Sequence, residues 1–294
     1  MILQREIAAI ALQAGVSKTT IDKDWVLGHF IDAIFSVKEL KDILIFKGGT
    51  CLKKCYYPDY RFSEDLDFTA TDPNFDLTPD LFNKVTALVI ERTGMACQIV
   101  SFRDLVFKDV KTGYEIIVKY WGADHQFNSA VPPLERWQTS IKIEIILYEL
   151  LLFKPVRKKM IHPYSDELSE NGDSIPCYSL EEVMAEKIRA LVQRRYTAPR
   201  DYYDIWYLSS NYKELNNKEI VEGFHKKMKY KNLEFTGIDQ LINPKNEHIL
   251  KQNWLNSLGH QIAKDRLADY AGVIAEVQKY FEEIFSESEY QSRY

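Results

Sequence analysis

Apolar residues at Trp25, Leu27, Phe30, Ile31, Ile34 and Phe35 recur at spacings of three and four (27/30, 27/31, 30/34, 31/35), which predicts a helix with one buried stripe. A weaker form of the same period over residues 2–14 predicts a short amphipathic helix, and the polar run 17–20 a turn between the two. Thr20 or Asp22 is the expected cap of the second helix. Ile43 to Phe46 is an unbroken apolar run, read as a short buried strand that ends at Gly48 and Gly49. A helix is expected from Thr50 to about Tyr57, where Pro58 stops it, followed by a strand carrying Asp65-Leu66-Asp67-Phe68. Residues 80–92 read as a helix, and 97–103 and 114–121 as strands. Over 139–148, Ile141, Ile143 and Ile145 face one way and Lys142 and Glu144 the other, a strong strand pattern. From Leu180 onward the pattern is helical, with breaks at Pro199, around Gly237 and at Pro244. The fold class is therefore α+β. The polar loop 162–176, holding Gly172 and Pro176, divides a sheet-containing domain (1–175) from a helical one (176–294).

Composition narrows the class without naming a chemistry. The 294 residues are 46% hydrophobic and 28% charged, with 18 Tyr and 15 Phe, the make-up of a folded globular chain. A net charge of −5 excludes a uniformly basic nucleic-acid coat but leaves room for a local patch. Cys51, Cys55, Cys97 and Cys177 form no CxxC pair; Cys51 and Cys55 lie one helical turn apart and are read as packing residues rather than metal ligands. The first residues show no secretory signal pattern, and no run of ~20 apolar residues could span a membrane. The expected location is cytoplasmic. No GxxxxGK[ST] loop, histidine metal spacing or Ser/His/Asp set is present.

Chemistry concentrates in two stretches. On a strand, Asp65 and Asp67 share a face, ~7 Å apart, while Leu66 and Phe68 pack behind them. Two carboxylates on one face can collect a hard divalent cation such as Mg²⁺. Gly48 and Gly49 let the backbone approach a phosphate chain, and the helix start beyond them offers free N–H groups. Glu144 is the candidate third ligand. The plainer reading makes 64–67 an acidic turn and Glu144 the partner of Lys142 on a solvated sheet face.

The second stretch is helical. Lys187 sits near the centre of the stripe formed by Leu180, Val183, Met184, Ile188 and Leu191, with Arg194 near it two turns on. A lysine on a buried face needs an anion, for which a triphosphate is one candidate; a lysine reaching out at a domain seam is the other. Asp201 and Asp204 share a helical face near a helix start, where capping alone would explain Asp201. Basic runs at 157–159, 194–195 and 226–231 could track a phosphate backbone or be ordinary solvated faces.

These residues carry a family resemblance. Lys47-Gly48-Gly49-Thr50-x-Leu52 followed by Arg61-x-Ser63-x-Asp65-Leu66-Asp67-Phe68 resembles the first motif of the AbiEii/AbiGii-type toxin nucleotidyltransferases. Asp24-Trp25-Val26-Leu27, the Lys187 helix and Arg200-Asp201-x-x-Asp204 resemble other parts of that family, so the likeness covers about residues 20–210. It implies a polymerase-β-like nucleotidyltransferase domain followed by a helical domain, in a bacterial toxin held in check by a cognate antitoxin protein. It implies an NTP substrate, Mg²⁺, and transfer of NMP to an acceptor hydroxyl, with the tRNA 3′ end as the implied acceptor and translation as the process stopped. Carried over by residue, Gly48, Gly49, Thr50 and Ser63 would hold the nucleotide, Asp65, Asp67 and Glu144 the metal. Lys187 would steady the phosphates, and Asp201 and Asp204 would complete the catalytic centre. Two rivals stay open: a nucleotidyltransferase acting on a protein or small molecule, and a silent nucleotide- or partner-binding module.

Overall fold

A computed structural model describes residues 2–125, 130–194, 198–242 and 247–291, with the side chains of 287–291 excepted. The break expected at Pro244, and Arg195 of the basic pair, lie outside the described residues. Packing groups 1–149 with 155–177 in one unit, and 150–154 with 178–294 in a second. Relative to the division at 175/176, the differences are the segment 150–154 and a boundary two residues later, after Cys177.

The first unit holds a mixed seven-stranded sheet in the order β3-β4-β5-β2-β1-β7-β6. Its strands are β1 (Leu44–Lys47), β2 (Asp65–Ala70), β3 (Ala96–Phe107), β4 (Val110–Trp121), β5 (Ser140–Ile146), β6 (Val156–Lys158) and β7 (Ile175–Cys177). Its helices are α1 (Gln4–Ala14), α2 (Lys18–Ser36), α3 (Lys38–Lys41), α4 (Gly48–Cys51) and α5 (Pro79–Thr93). Alternation told truly on β5, where Ile141, Ile143 and Ile145 are buried. Those isoleucines join Leu66, Phe68, Phe46 and the α2 stripe of Trp25, Phe30, Ile34 and Phe35 in one core. β3 and β4 run longer than their patterns suggested because they form a hairpin closed by Lys108 and Asp109, both at positive φ (48° and 62°). Two left-handed residues in a two-residue loop match the right-handed twist of the flanking strands.

Four local readings change. Ser17, not Thr20 or Asp22, caps α2, its side chain accepting from the Thr20 N–H. Asp22 is buried and accepts from the N–H groups of Ala123 (2.7 Å) and Asp124 (3.2 Å). The helix expected from Thr50 begins at Gly48 and opens into a π-helical turn, Leu52–Tyr56. The loop 162–176 is not wholly a linker, because its last residues enter β7, which pairs in parallel with β1 at Phe46 and Cys177.

The second unit contains α6 (Leu180–Gln193), α7 (Pro199–Asn211), α8 (Asn217–Tyr230), α9 (Glu247–Leu258) and α10 (Tyr270–Gln291). Its interior includes a charged group. Glu182 and Lys227, both fully buried, form a 2.5 Å ion pair. Glu182 also accepts from the N–H groups of Leu152 and Phe153 (2.8 Å each), and Lys227 donates to the Leu150 carbonyl. This pair ties 150–154 into the helical unit. Among the described residues no helix is long and apolar enough to cross a membrane.

Candidate active site

Lateral register across the first unit's sheet builds the site. Lys47 on β1 pairs with Asp67 on β2, Asp67 with Glu144 on β5, Glu144 with Glu115 on β4, and Glu115 with Arg103 on β3. Residues directly opposite one another in a sheet share a face. One face therefore carries a row of charge: a lysine, three carboxylates, an arginine. Asp65 is opposite Lys142 in the next row. Lys142 Nζ lies 2.7 Å from Glu144 Oε1 and 3.9 Å from Asp65 Oδ2. The partner that the plainer reading offered Glu144 is present, and it joins Asp65 as well. The outer end closes on itself, with Arg103 donating to Glu115 at 2.7 Å.

Asp67 is the strained member. Burial, with Glu144 and Asp65 adding to it and Lys47 opposing, pushes its carboxyl up to about 6. A carboxylate raised by like charges is relieved by a bound cation.

Gly48 stands against it. Its φ is +80°, and a Cβ placed there would lie 2.2 Å from Asp67 Oδ2. Only glycine lets the chain turn from β1 into α4 with the carboxylate so close. At Gly49 a Cβ would meet Arg61 Nη2 at 2.8 Å and Ser63 Oγ at 3.0 Å. Arg61 and Ser63 thus lie over the second glycine. Thr50 is buried, and its hydroxyl donates to the Asp65 carbonyl at 2.5 Å. That side chain clamps the glycine turn to β2, leaving its backbone N–H as what it can offer a phosphate.

Asp65, Asp67, Glu144, Gly48, Gly49, Thr50 and Ser63 all belong to this one constellation. Asp65, Asp67 and Glu144 put hard oxygen donors on one face, the ligand type a divalent cation takes, but among the described residues their oxygens do not converge to within 4.8 Å of one another, and Lys142 stands between Glu144 and Asp65. Lys47, Lys142 and Arg61 were not singled out as site residues. A lysine closing a buried strand was the available signal for Lys47; only the register shows Lys142, and only the close approach to Gly49 shows Arg61.

The second unit holds the remaining candidates. Lys187 Nζ lies 3.2 Å from Asp201 Oδ1 and 2.5 Å from Asp204 Oδ2. Asp201 also pairs with Arg194. The lysine on the apolar stripe thus has its counter-charges on the next helix, three residues apart and both buried. Helix capping does not explain Asp201, since Ala198 occupies the cap of α7 and no side chain caps it. The basic runs are largely spoken for: Arg157 donates to the Ser174 carbonyl, Lys159 pairs with Asp173, and Lys227 is interior.

The family model described as "Nucleotidyl transferase AbiEii toxin, Type IV TA system" matches residues 29–286. Among solved structures the chain is similar to MenT4, a nucleotidyltransferase toxin from Mycobacterium tuberculosis H37Rv. The TM-score is 0.67 and the identity 20%, over 97% of this chain and 90% of that one. It is also similar to a putative nucleotidyltransferase from H. pylori, with a TM-score of 0.51 and 18% identity, over 90% of this chain and 97% of that one. Comparison with curated protein sequences returns no match.

Proposed function

We propose that this chain, which belongs to the AbiEii nucleotidyltransferase toxin family, transfers NMP from an NTP to the hydroxyl at a tRNA 3′ end. The acceptor oxygen bonds to the α-phosphorus, the bond to the β-phosphate oxygen breaks, and pyrophosphate leaves. The observation that carries this reading is the Lys47–Asp67–Glu144 row with Gly48 pressed against Asp67.

Asp65, Asp67 and Glu144 would hold the divalent cation, Mg²⁺ in this reading. Bound there, the cation supplies Lewis acidity toward the phosphoryl oxygens and lowers the pKa of the attacking hydroxyl. Gly48 and Gly49 present backbone to the phosphate chain, and Ser63 and Arg61 add a hydroxyl and a bidentate cation beside Gly49. Lys47 and Lys142 moderate the repulsion among the carboxylates, so that the cluster survives without its cation. In the second unit, Asp201 and Asp204 fix the Lys187 ammonium, which we assign to the nucleotide phosphates. As a type IV family member the chain is further assigned an antitoxin protein as partner, and blocked translation as its effect in the cell.

Incubation with each labelled NTP, Mg²⁺ and total tRNA, beside Asp67→Ala and Lys187→Ala, tests the reading. Label on tRNA that both substitutions abolish is the expected result. No transfer to RNA from any NTP refutes the tRNA acceptor, and label on protein moves the acceptor there.

A further inference from the structure

Three of the four cysteines meet in the first unit. Cys51 ends α4, Cys55 lies in the π-helical turn, and Cys177 closes β7. Their sulfurs lie within 4.8 Å of one another. All three are free thiols, exposed by 0, 5 and 0%.

Taken as a pair, Cys51 and Cys55 need no explanation beyond packing, because a buried thiol behaves as a small apolar group. Cys177 changes that. It comes from a distant part of the chain and is delivered by the parallel pairing of β7 with β1. Thiols are weak donors and weak acceptors, so three of them gain little from one another. Cys97 shows the ordinary alternative: it is buried apart from the others, with its sulfur 3.8 Å from the Thr86 carbonyl.

A second convergence in the same unit shows the contrast. His29 and His162 each meet one oxygen of Asp166 through Nε2 (3.1 and 3.0 Å), and Trp25 Nε1 donates to both oxygens. Hydrogen bonds account for that group. In the cysteine cluster Cys177 Sγ donates to the Ile175 carbonyl at 3.4 Å and the thiols otherwise bond one another, weak contacts that give little reason for three of them to meet.

We propose that Cys51, Cys55 and Cys177 form a binding site for one thiophilic cation of the Zn²⁺ or Cu⁺ class. An equilateral triangle with 4.8 Å sides has its centre about 2.8 Å from each corner. Zinc–thiolate bonds are about 2.3 Å, so each sulfur moves inward by about 0.5 Å at most. With so little exposure the ion enters as the unit folds, and its binding energy becomes folding energy. Its mechanical effect is to pin the segment that follows Gly48 and Gly49 to β7.

The test uses the full chain, unfolded, reduced, stripped with chelator and refolded with Zn²⁺ or Co²⁺, or anaerobically with Cu⁺. The expected result is one ion per chain by native mass spectrometry and, for Co²⁺, a thiolate-to-cobalt charge-transfer band. Cys51→Ser and Cys177→Ala abolish the band and Cys97→Ala keeps it. Cobalt held by the Asp65 and Asp67 carboxylates gives no such band, so the outcome is independent of the transferase reading. If the cysteine variants do not fold, alkylation of the wild type decides: the ion shields three of the four thiols on partial unfolding. Refolded wild type that binds no ion, a band that survives Cys177→Ala, or a disulfide joining any two of the three sulfurs overturns the proposal.

Discussion

Replacing Asp67 by Asn stabilises the metal-free protein while abolishing transfer. The carboxyl rises from 3.8 to about 6 in the folded state. Each pKa unit is about 1.36 kcal/mol, so two units place about 3 kcal/mol of strain on the ionised form. Between pH 4 and pH 6 the folded state binds more protons at this group than the unfolded state does. Stability therefore falls as pH rises through that window, and the full penalty persists above pH 6. Asn removes the charge, keeps the shape and lacks the slope. In urea unfolding with chelator at pH 8, Asp67→Asn is expected to exceed wild type by up to about 3 kcal/mol, and the two to converge near pH 4. Asp22, also pushed up to about 6 by burial, contributes to both proteins and cancels in the difference. Added Mg²⁺ should raise wild type and leave the variant nearly unmoved, because only the first gains a charged ligand. An Asn variant less stable than wild type at pH 8 without divalent ions would refute the account of Asp67 as a carboxylate raised by burial and by its acidic neighbours.

Gly48→Ala forces a side chain into φ +80° and onto the Asp67 carboxylate; a stability loss of about 1–2 kcal/mol and a roughly 100-fold fall in transfer are expected in thermal melts and labelled-NTP assays. Thr50→Val leaves the Asp65 carbonyl without its hydroxyl donor and should lower urea stability by about 1–3 kcal/mol, whereas Thr50→Ser preserves both stability and transfer. Glu182→Ala strands a buried ammonium at Lys227, expected to lose about 3–5 kcal/mol; Glu182→Met with Lys227→Met recovers most of it in a double-mutant cycle.

Much of the framework could be read from residue order, because it rests on local rules. Alternation placed Asp65 and Asp67 on one face and the three β5 isoleucines inside. What local rules do not contain is lateral register. Which residues join Asp67 in its row depends on how five strands slide against one another. Lys47 could therefore be quoted in a motif without being seen as Asp67's neighbour, and Glu115 and Arg103 passed unnoticed. Lys187, Asp201 and Asp204 were each singled out but in separate roles, since only the packing of α6 on α7 turns them into one ion-paired set. Cys177 was hidden for the same reason. Its strand is three residues long and ends what reads as a polar loop, and its neighbours in space are over a hundred positions away.

The segment 150–154 gives the chain a property that a list of two domains would miss. It leaves the sheet-bearing unit, satisfies Glu182 and Lys227 among the helices, and returns to form β6. A cut at residue 176 yields no pair of self-sufficient fragments: the C-terminal piece would keep a buried ion pair stripped of its backbone partners. During synthesis the stretch 150–154 is made more than seventy residues before Lys227, and its backbone waits for the helices that will pair with it. The two halves are spliced rather than strung, so the chain does not divide into independent pieces at a single cut.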